Sequence, residues 1–423
     1  MSLPIFTIIK RFWELRRVSK MSRSELDTLK LEKFRKLVRH VQRHSPYYAD
    51  IIAERNIQID TCVPSDFPIL TKSILMANFD RIVTDKSITK ASVDEFLTRS
   101  VDPNELLFDK FRVIHTSGSS GEIGYFVYTP KEWFYGMMPG LNEEKHKKNP
   151  RRRRFGRFQM AYYAAIGGHF AGVSMMTTMN HGIARLFSKI NLFEINSPLP
   201  EVIERLNKLQ PDYITGYTMG LKILAEKQNE GILNISPIRI GTGGESMTQA
   251  DKAMIESAFN CEAQNGYGST EHLMMGIASR NGETITLYDT DLIYELFDDY
   301  CFVTNLFNYT QPLIRYQMSD VLRPIEPANP THPYLVVNSL VGRTEKMPIF
   351  INRDGAEDFI HPISIVELFI AGVIRFQMRL IDKTSFRFAV VLDQSLNATQ
   401  QEDVVKVTQQ RLREFLNQKL MDN

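Results

Sequence analysis

PEVIERLNKLQPDYITGYTMGLKILAEKQNEGILNISPIRIGTGGESMT, residues 200–248, reads as helix, strand, helix, strand and the start of a third helix. Pro200 opens the first helix, whose Val202, Ile203, Leu206 and Leu209 fall on one apolar face. Asp212–Thr215 is a short strand. Residues 218–230 form the second helix, which Gly231 ends, because glycine enters the left-handed backbone of a C-cap without steric cost. Ile238–Gly241 is the next strand, and a further helix starts at Thr248. Short apolar strands alternating with amphipathic helices predict an α/β architecture of largely parallel sheets flanked by helices.

The same reading extends outward. Residues 25–50 carry Phe34, Leu37, Val38 and Val41 at helical spacing, and Ser45-Pro46-Tyr47-Tyr48 stops the helix because proline restricts the residue before it. FPILTKSILMANFD (67–80) is a loop and then a short helix with Thr71 as N-cap. From residue 111 the pattern is strand–turn–helix, with Phe111–His115 the strand and Thr116–Gly121 the loop. Residues 285–341 hold several strand-like runs and little helix, which predicts a β-rich subdomain. Beyond Gly342-Arg343, Phe376–Leu380 and Phe386–Val390 alternate as strands. Thr399–Glu402 is a capping box for a last helix carrying Val405, Leu412, Phe415, Leu416 and Leu420. The expected division is a large N-terminal domain, 1–343, and a small α+β C-terminal domain, 344–423.

Composition narrows the function. The 423 residues are 43% hydrophobic and 24% charged, which suits a large core and excludes long-range disorder. A net charge of +2 gives no global reason to expect nucleic acid or an anionic membrane as partner. Cys62, Cys261 and Cys301 show no CxxC spacing, which argues against a disulfide scaffold and a zinc knuckle and predicts a reducing, cytoplasmic setting. No apolar run is long enough for a transmembrane segment. The start, MSLPIFTIIKRFWELRR, lacks the features of a secretory signal. Its Ile5, Ile8, Ile9, Phe12, Trp13 and Leu15, followed by Arg16 and Arg17, read as a helix packed on the body, with an interfacial helix as the alternative.

Four short segments carry chemistry. In His115-Thr116-Ser117-Gly118-Ser119-Ser120-Gly121 the glycines let successive N–H groups face one concavity and the hydroxyls add donors, as a phosphate cradle requires. It is not a Walker loop, and by itself it reads equally as a turn. In Asn265-Gly266-Tyr267-Gly268-Ser269-Thr270-Glu271, Tyr267 offers a flat face to an aromatic base and Glu271 a hard oxygen suited to Mg²⁺; the plain reading is a turn with a solvated Glu. Asp320, in Arg315–Asp320, has the chemistry to bind vicinal ribose hydroxyls, although an Asp there also serves as a turn residue. The fourth segment is Gly342–Lys346.

Taken in order, the four segments resemble the adenylate-forming superfamily of acyl- and aryl-CoA synthetases, peptide-synthetase adenylation domains and luciferases. The sequence is most similar to the phenylacetate–CoA ligase branch. The segments at 36–48 (ending Pro46-Tyr47-Tyr48), 67–72, 211–217, 240–245 and 312–321 carry that similarity, which runs from about residue 30 to 390. The resemblance implies ATP-dependent conversion of a carboxylic acid to its acyl-adenylate, with transfer to CoA. It implies that Thr116, Ser117, Gly118, Ser119, Ser120 and Gly121 hold the ATP β,γ-phosphates. It places Gly243, Gly244 and Glu245 along the adenine pocket, Asn265 at the adenine amino edge, and Tyr267 with Gly268 against the base. Thr270 then meets the α-phosphate, Glu271 the Mg²⁺, and Asp320, assisted by Arg343, the ribose.

Departures accompany the match. The phosphate loop continues Glu122-Ile123-Gly124 instead of to a lysine, and the usual Arg-Thr-Gly-Asp reads Gln317-Met318-Ser319-Asp320. The family's C-terminal catalytic lysine has Lys419 as its nearest counterpart, on a helix rather than a loop. No cysteine lies between His272 and Asp291, so no zinc is expected. Gly168 and His169, in Ile166–Gly172, fall where relatives build the acyl pocket, with a structural histidine as the equal alternative; Tyr217 is a further pocket candidate. The run KHKKNPRRRRFGR (145–157) reads as a solvated loop, or else steers nucleotide phosphates or docks an acidic carrier protein. Two alternatives stay open: transfer of the acyl group to an amine, hydroxyl or carrier-protein thiol, and a non-catalytic relative. The acid, the acceptor and the oligomeric state are not legible.

Overall fold

A computed structural model describes residues 4–116, 123–140, 156–180, 184–318, 320–326, 332–338, 349–360, 370, 372–393 and 396–421. Strands β1 (Arg112–His115) and β2 (Tyr125–Tyr128) pair antiparallel, with His115 opposite Tyr125. β1 is therefore followed by a second, paired strand and not directly by a helix; the helix comes at Pro130–Met137. The expectation of strand–turn–helix missed Tyr125-Phe126-Val127-Tyr128, an aromatic, β-branched run that favours a second strand.

β3 (Phe158–Ala164), β4 (Ser188–Glu194), β5 (Tyr213–Gly216), β6 (Arg239–Thr242) and β7 (Glu262–Ser269) run parallel in the order 4-3-5-6-7. Helices Leu199–Leu209, Thr218–Asn229 and Gln249–Phe259 bury Val202, Leu206, Leu224 and Ile255 in one core with Ile214 and Ile240 of the strands. Thr248 caps the third helix by accepting from Asp251 N–H, and Gly231 takes the left-handed φ of +76°. Past β7 the sheet changes direction, because Thr270–His272 is too short for a crossover and returns the chain antiparallel. β8 (Leu273–Ala278) and β9 (Thr284–Leu287) follow. Separately, β10 (Leu292–Leu296), β11 (Cys301–Asn305) and β12 (Tyr316–Met318) form a three-stranded antiparallel sheet. β13 (Pro324–Ile325) and β14 (Val336–Asn338) complete a nine-stranded mixed sheet among the described residues. The fold is α/β, with the parallel arrangement confined to one half of that sheet.

The N-terminal helices brace β12. α1 (Ile5–Val18) is followed by α2 (Arg23–His44), capped by the Ser22–Glu25 box, and α3 (Pro46–Glu54), which Pro46 opens after a one-residue break. Buried Tyr48 donates to the Pro312 carbonyl at 3.0 Å and accepts from Ile314 N–H at 3.2 Å. Leu70 exchanges backbone bonds with Arg315 and Gln317, adding a short parallel bridge at Tyr316. Thr71 caps the next helix through Ile74 N–H.

The tail holds the hairpins Ile349–Ile351/Glu357–Phe359 and Val373–Leu380/Phe386–Leu392 and the helix Ala398–Gln418. Its cap is Asn397 with Gln400, two residues before the expected box, and Leu420 lies past the helix end with φ of +57°. Asn-x-x-Gln and Thr-x-x-Glu both satisfy the capping pattern, so spacing alone did not separate them. Phe350, Ile360, Leu412, Phe415 and Met421 form the tail's own small core. Asp358 joins it to the helix Leu199–Leu209 by accepting Leu199 N–H at 3.1 Å. Among the described residues no helix is long and apolar enough to cross a membrane.

Candidate functional site

The second and third segments meet at the ends of β7 and β12, and the first lies on the hairpin β1–β2, whose Tyr128 contacts the turn after β7. The stem of the Gly/Ser loop is closed by Thr116 N–H to the Gly124 carbonyl at 2.9 Å and Gly124 N–H to Thr116 Oγ1 at 2.8 Å. Ser117, Gly118, Ser119, Ser120 and Gly121 lie outside the described residues, as do Arg343 and residues 145–155 of the basic run. Tyr128 of β2 donates to the carbonyls of Thr270 at 3.2 Å and Glu271 at 2.9 Å, tying the hairpin to the turn after β7. Tyr316 of β12 reaches the same turn, its hydroxyl 3.4 Å from Glu271 Oε1.

Tyr267, 8% exposed, donates from its hydroxyl to Asp320 Oδ2 at 3.2 Å. Burial raises the Asp320 carboxyl above its usual range, and the Tyr267 bond opposes that rise. Gly268 sits where β7 crowds β8: a Cβ there would lie 2.5 Å from the Leu273 carbonyl oxygen. That contact alone requires glycine, whatever else the position does. Asn265 accepts from Thr242 Oγ1 at 2.9 Å and donates to the Glu245 carbonyl at 3.2 Å. Glu245 accepts Met219 N–H at 2.9 Å, Gly243 donates to the Gly216 carbonyl at 3.1 Å, and Gly244 has φ of +76° over the Tyr217 ring. Residues 243–245, Asn265 and Tyr217 thus form one wall at the C-terminal ends of β5 and β6 and the middle of β7. Open α/β sheets bind ligands at this edge.

The Gly168–His169 loop lies beside the hairpin stem. His115 N–H donates to the His169 carbonyl at 3.2 Å, and the His115 and Phe170 rings are 4.6 Å apart. His169 itself is 1% exposed, with Nε2 3.1 Å from Ser100 Oγ and its ring 4.8 Å from Phe96. Burial, reinforced by His115 and Arg112, pushes its imidazole down to about 4, so it is neutral at pH 7. Tyr162 and Tyr163 are core residues, whereas Phe170 and Tyr217 are half-buried.

A divalent cation is tested by the donors present. Glu271 supplies one half-buried carboxylate with the Tyr316 hydroxyl behind it. Among the described residues no three His, Cys, Asp or Glu side chains are close enough to share an ion. One carboxylate fits Mg²⁺, which keeps its waters and takes further ligands from phosphates, and does not make an all-protein cage.

Sequence reasoning missed Tyr128 and Tyr316 as organisers of the Thr270–Glu271 turn. Tyr316 stood inside a motif already singled out. Tyr128 carried no signal, because its role depends on how the hairpin packs on the turn. Lys419 is fully buried, with Nζ 3.2 Å from Asp358 Oδ1 and 3.4 Å from the Ile195 carbonyl.

The fold is similar to that of a solved CoA ligase. The chain is similar to 2-hydroxyisobutyryl-CoA ligase in complex with 2-HIB-AMP and CoA in the thioesterification state, with a TM-score of 0.60 and 16% identity, over 95% of this chain and 86% of that one. The open conformation of that ligase with 2-HIB-AMP and CoA gives a TM-score of 0.57 and 17% identity, over 95% and 93%. In sequence the chain is 24% identical over 352 residues to Protein CapK of Staphylococcus aureus, a match spanning 76% of this chain and 68% of CapK. No protein-family model matches it. At these identities the likeness speaks for the fold.

Proposed function

We propose that this chain uses ATP to activate a carboxylic acid as its acyl-adenylate and passes the acyl group to CoA, in the manner of the phenylacetate–CoA ligase branch. The observation that carries the reading is the Tyr267–Asp320 hydrogen bond. It joins the aromatic residue assigned to adenine and the carboxylate assigned to ribose, next to the wall of residues 243–245 and Asn265.

In the first step a carboxylate oxygen of the acid attacks the α-phosphorus of ATP, and the bond to the bridging oxygen breaks as pyrophosphate leaves. In the second a thiolate sulfur attacks the acyl carbon and AMP leaves. Asp320 holds the ribose hydroxyls with Tyr267 fixing its orientation, assisted by Arg343. The Thr270 hydroxyl donates to the α-phosphate. The Thr116–Gly121 loop holds the β,γ-phosphates on the closed hairpin stem. Gly168, His169 and Tyr217 border the acyl side, where a neutral His169 supports the loop from beneath. Glu271 is the residue for Mg²⁺, which when bound offsets charge on the phosphates. Most of the rate enhancement in such chemistry comes from positioning and charge stabilisation. The division into domains at residue 343 belongs to this proposal.

A second reading, an adenylate-binding chain without turnover, is favoured by Lys419, which is held in an ion pair with Asp358. Calorimetric titration of ATP·Mg²⁺ tests the site itself. Asp320→Ala removes hydrogen bonds between a charged group and ribose at about 1.5–3 kcal/mol each, so affinity falls at least about tenfold. Equal affinity in the two proteins overturns the assignment.

A further inference from the structure

Helix α1 touches the body along one stripe. Arg11, Leu15 and Val18 are fully buried. Arg11 donates to Asp291 Oδ2 at 2.6 Å and to the Met138 carbonyl at 3.0 Å, and Glu14 meets Lys33 at 2.8 Å. At about 100° per residue, Phe6, Ile9 and Trp13 lie on the opposite side. Phe6 is 72% and Trp13 63% exposed, and Ile5 and Phe12 flank them in the open. Single exposed apolar residues are ordinary, but a cluster of this kind on one helix is not.

Charge says what covers this face. Arg16 and Arg17 are exposed on the same outward side one turn further along, exposed Lys20 follows in the turn after the helix, and Lys10 lies at the flank. The helix has one acidic residue, Glu14, and that is spent on Arg11 and Lys33. The outward side therefore offers aromatic and aliphatic groups, then cations, and no carboxylate of its own. A second copy of the chain docked here would set like charges against each other. An anionic bilayer surface complements both parts: apolar side chains enter the boundary between headgroups and acyl chains, and long basic side chains reach back to the phosphates.

We propose that α1 is a membrane-surface helix, with Phe6, Ile9 and Trp13 inserted into an anionic lipid interface and Lys10, Arg16, Arg17 and Lys20 on its headgroups. The near-neutral net charge of the chain concealed this, because the cations are local to one face.

The full chain is titrated with vesicles of phosphatidylcholine and with vesicles of phosphatidylcholine and phosphatidylglycerol. The sequence holds two tryptophans, and Trp133 is 2% exposed with its indole N–H on Thr178 Oγ1. A shift of emission to shorter wavelength therefore reports Trp13. The expected result is that shift, with quenching by brominated acyl chains, on anionic vesicles, and binding about tenfold weaker or more on neutral ones. Phe6→Glu/Ile9→Glu loses at least about tenfold in binding. Arg16→Gln/Arg17→Gln/Lys20→Gln loses the preference for anionic vesicles, about fivefold per cation. These side chains face outward, so the unfolding midpoints stay with the wild type. No shift of the wild-type emission with either vesicle overturns the proposal. A shift produced by protein concentration alone, with a dimer that Phe6→Glu/Ile9→Glu makes monomeric, also overturns it and assigns the face to a second copy.

Discussion

Lys419→Met removes the ammonium at the junction between the tail and the large sheet while keeping most of the side chain's length. Lys419 and Asp358 are both 0% exposed, 3.2 Å apart, and Lys419 Nζ lies 4.9 Å from the Phe359 ring centroid. Burial works against both charges, raising the Asp358 carboxyl and lowering the Lys419 ammonium, and the attraction of each partner opposes the other's shift. Without Lys419, Asp358 keeps two backbone donors, Leu199 and Phe359, and an uncompensated buried charge. Losing one partner of a buried pair costs about 3–5 kcal/mol. Asp358→Asn on the Lys419→Met background removes that stranded charge and keeps an acceptor for Leu199, so the double variant should recover at least about 1 kcal/mol. A chain of this size does not unfold in one step, so the assay is amide hydrogen exchange of Glu357–Phe359 and of the Leu199 turn, read as local opening free energies. Protection within about 0.5 kcal/mol of wild type in Lys419→Met, or a double variant as weak as the sum of its parts, refutes the reasoning.

Glu271→Gln keeps shape and hydrogen-bonding capacity but removes the charge that suits Mg²⁺, so pyrophosphate exchange should fall far more than ATP affinity; equal effects on both would refute the metal role. Acid should loosen the fold through two buried histidines. Burial pushes His272 down to about 3 and His169 to about 4, both below the unfolded value of 6.5. The unfolded chain therefore takes up protons first, and stability is full above pH 6.5 and falls as pH drops toward 4, by about 2 kcal/mol per histidine between pH 6.5 and 5. Unfolding midpoints measured across that window should decline, less so in His272→Gln, and a flat profile would refute it.

The local patterns were legible where one element decides its own form. The helix opened at Thr248, its neighbours in the parallel half of the sheet and the Thr71 cap follow from spacing and capping chemistry. What the sequence hid depends on distant partners. The hairpin β1–β2 was obscured because its loop attracted a strand–turn–helix reading. The antiparallel half of the sheet follows from a three-residue turn at 270–272, whose consequence for topology is not local. The role of Tyr48 as a strut for β12 needs a segment more than two hundred residues away, and the burial of Lys419 against Asp358 needs a hairpin outside its own helix. At the candidate site, spacing named Tyr267 and Asp320 separately, and packing set one against the other.

The central claim is that a carboxylic acid is activated with release of pyrophosphate. Exchange of labelled pyrophosphate into ATP, run with Mg²⁺ across aliphatic, hydroxylated and aromatic carboxylic acids, tests it most directly. The account predicts exchange that depends on one class of acid and is lost in Asp320→Ala and Glu271→Gln. Tight ATP binding that depends on Asp320, with no exchange for any acid in the panel, would contradict it.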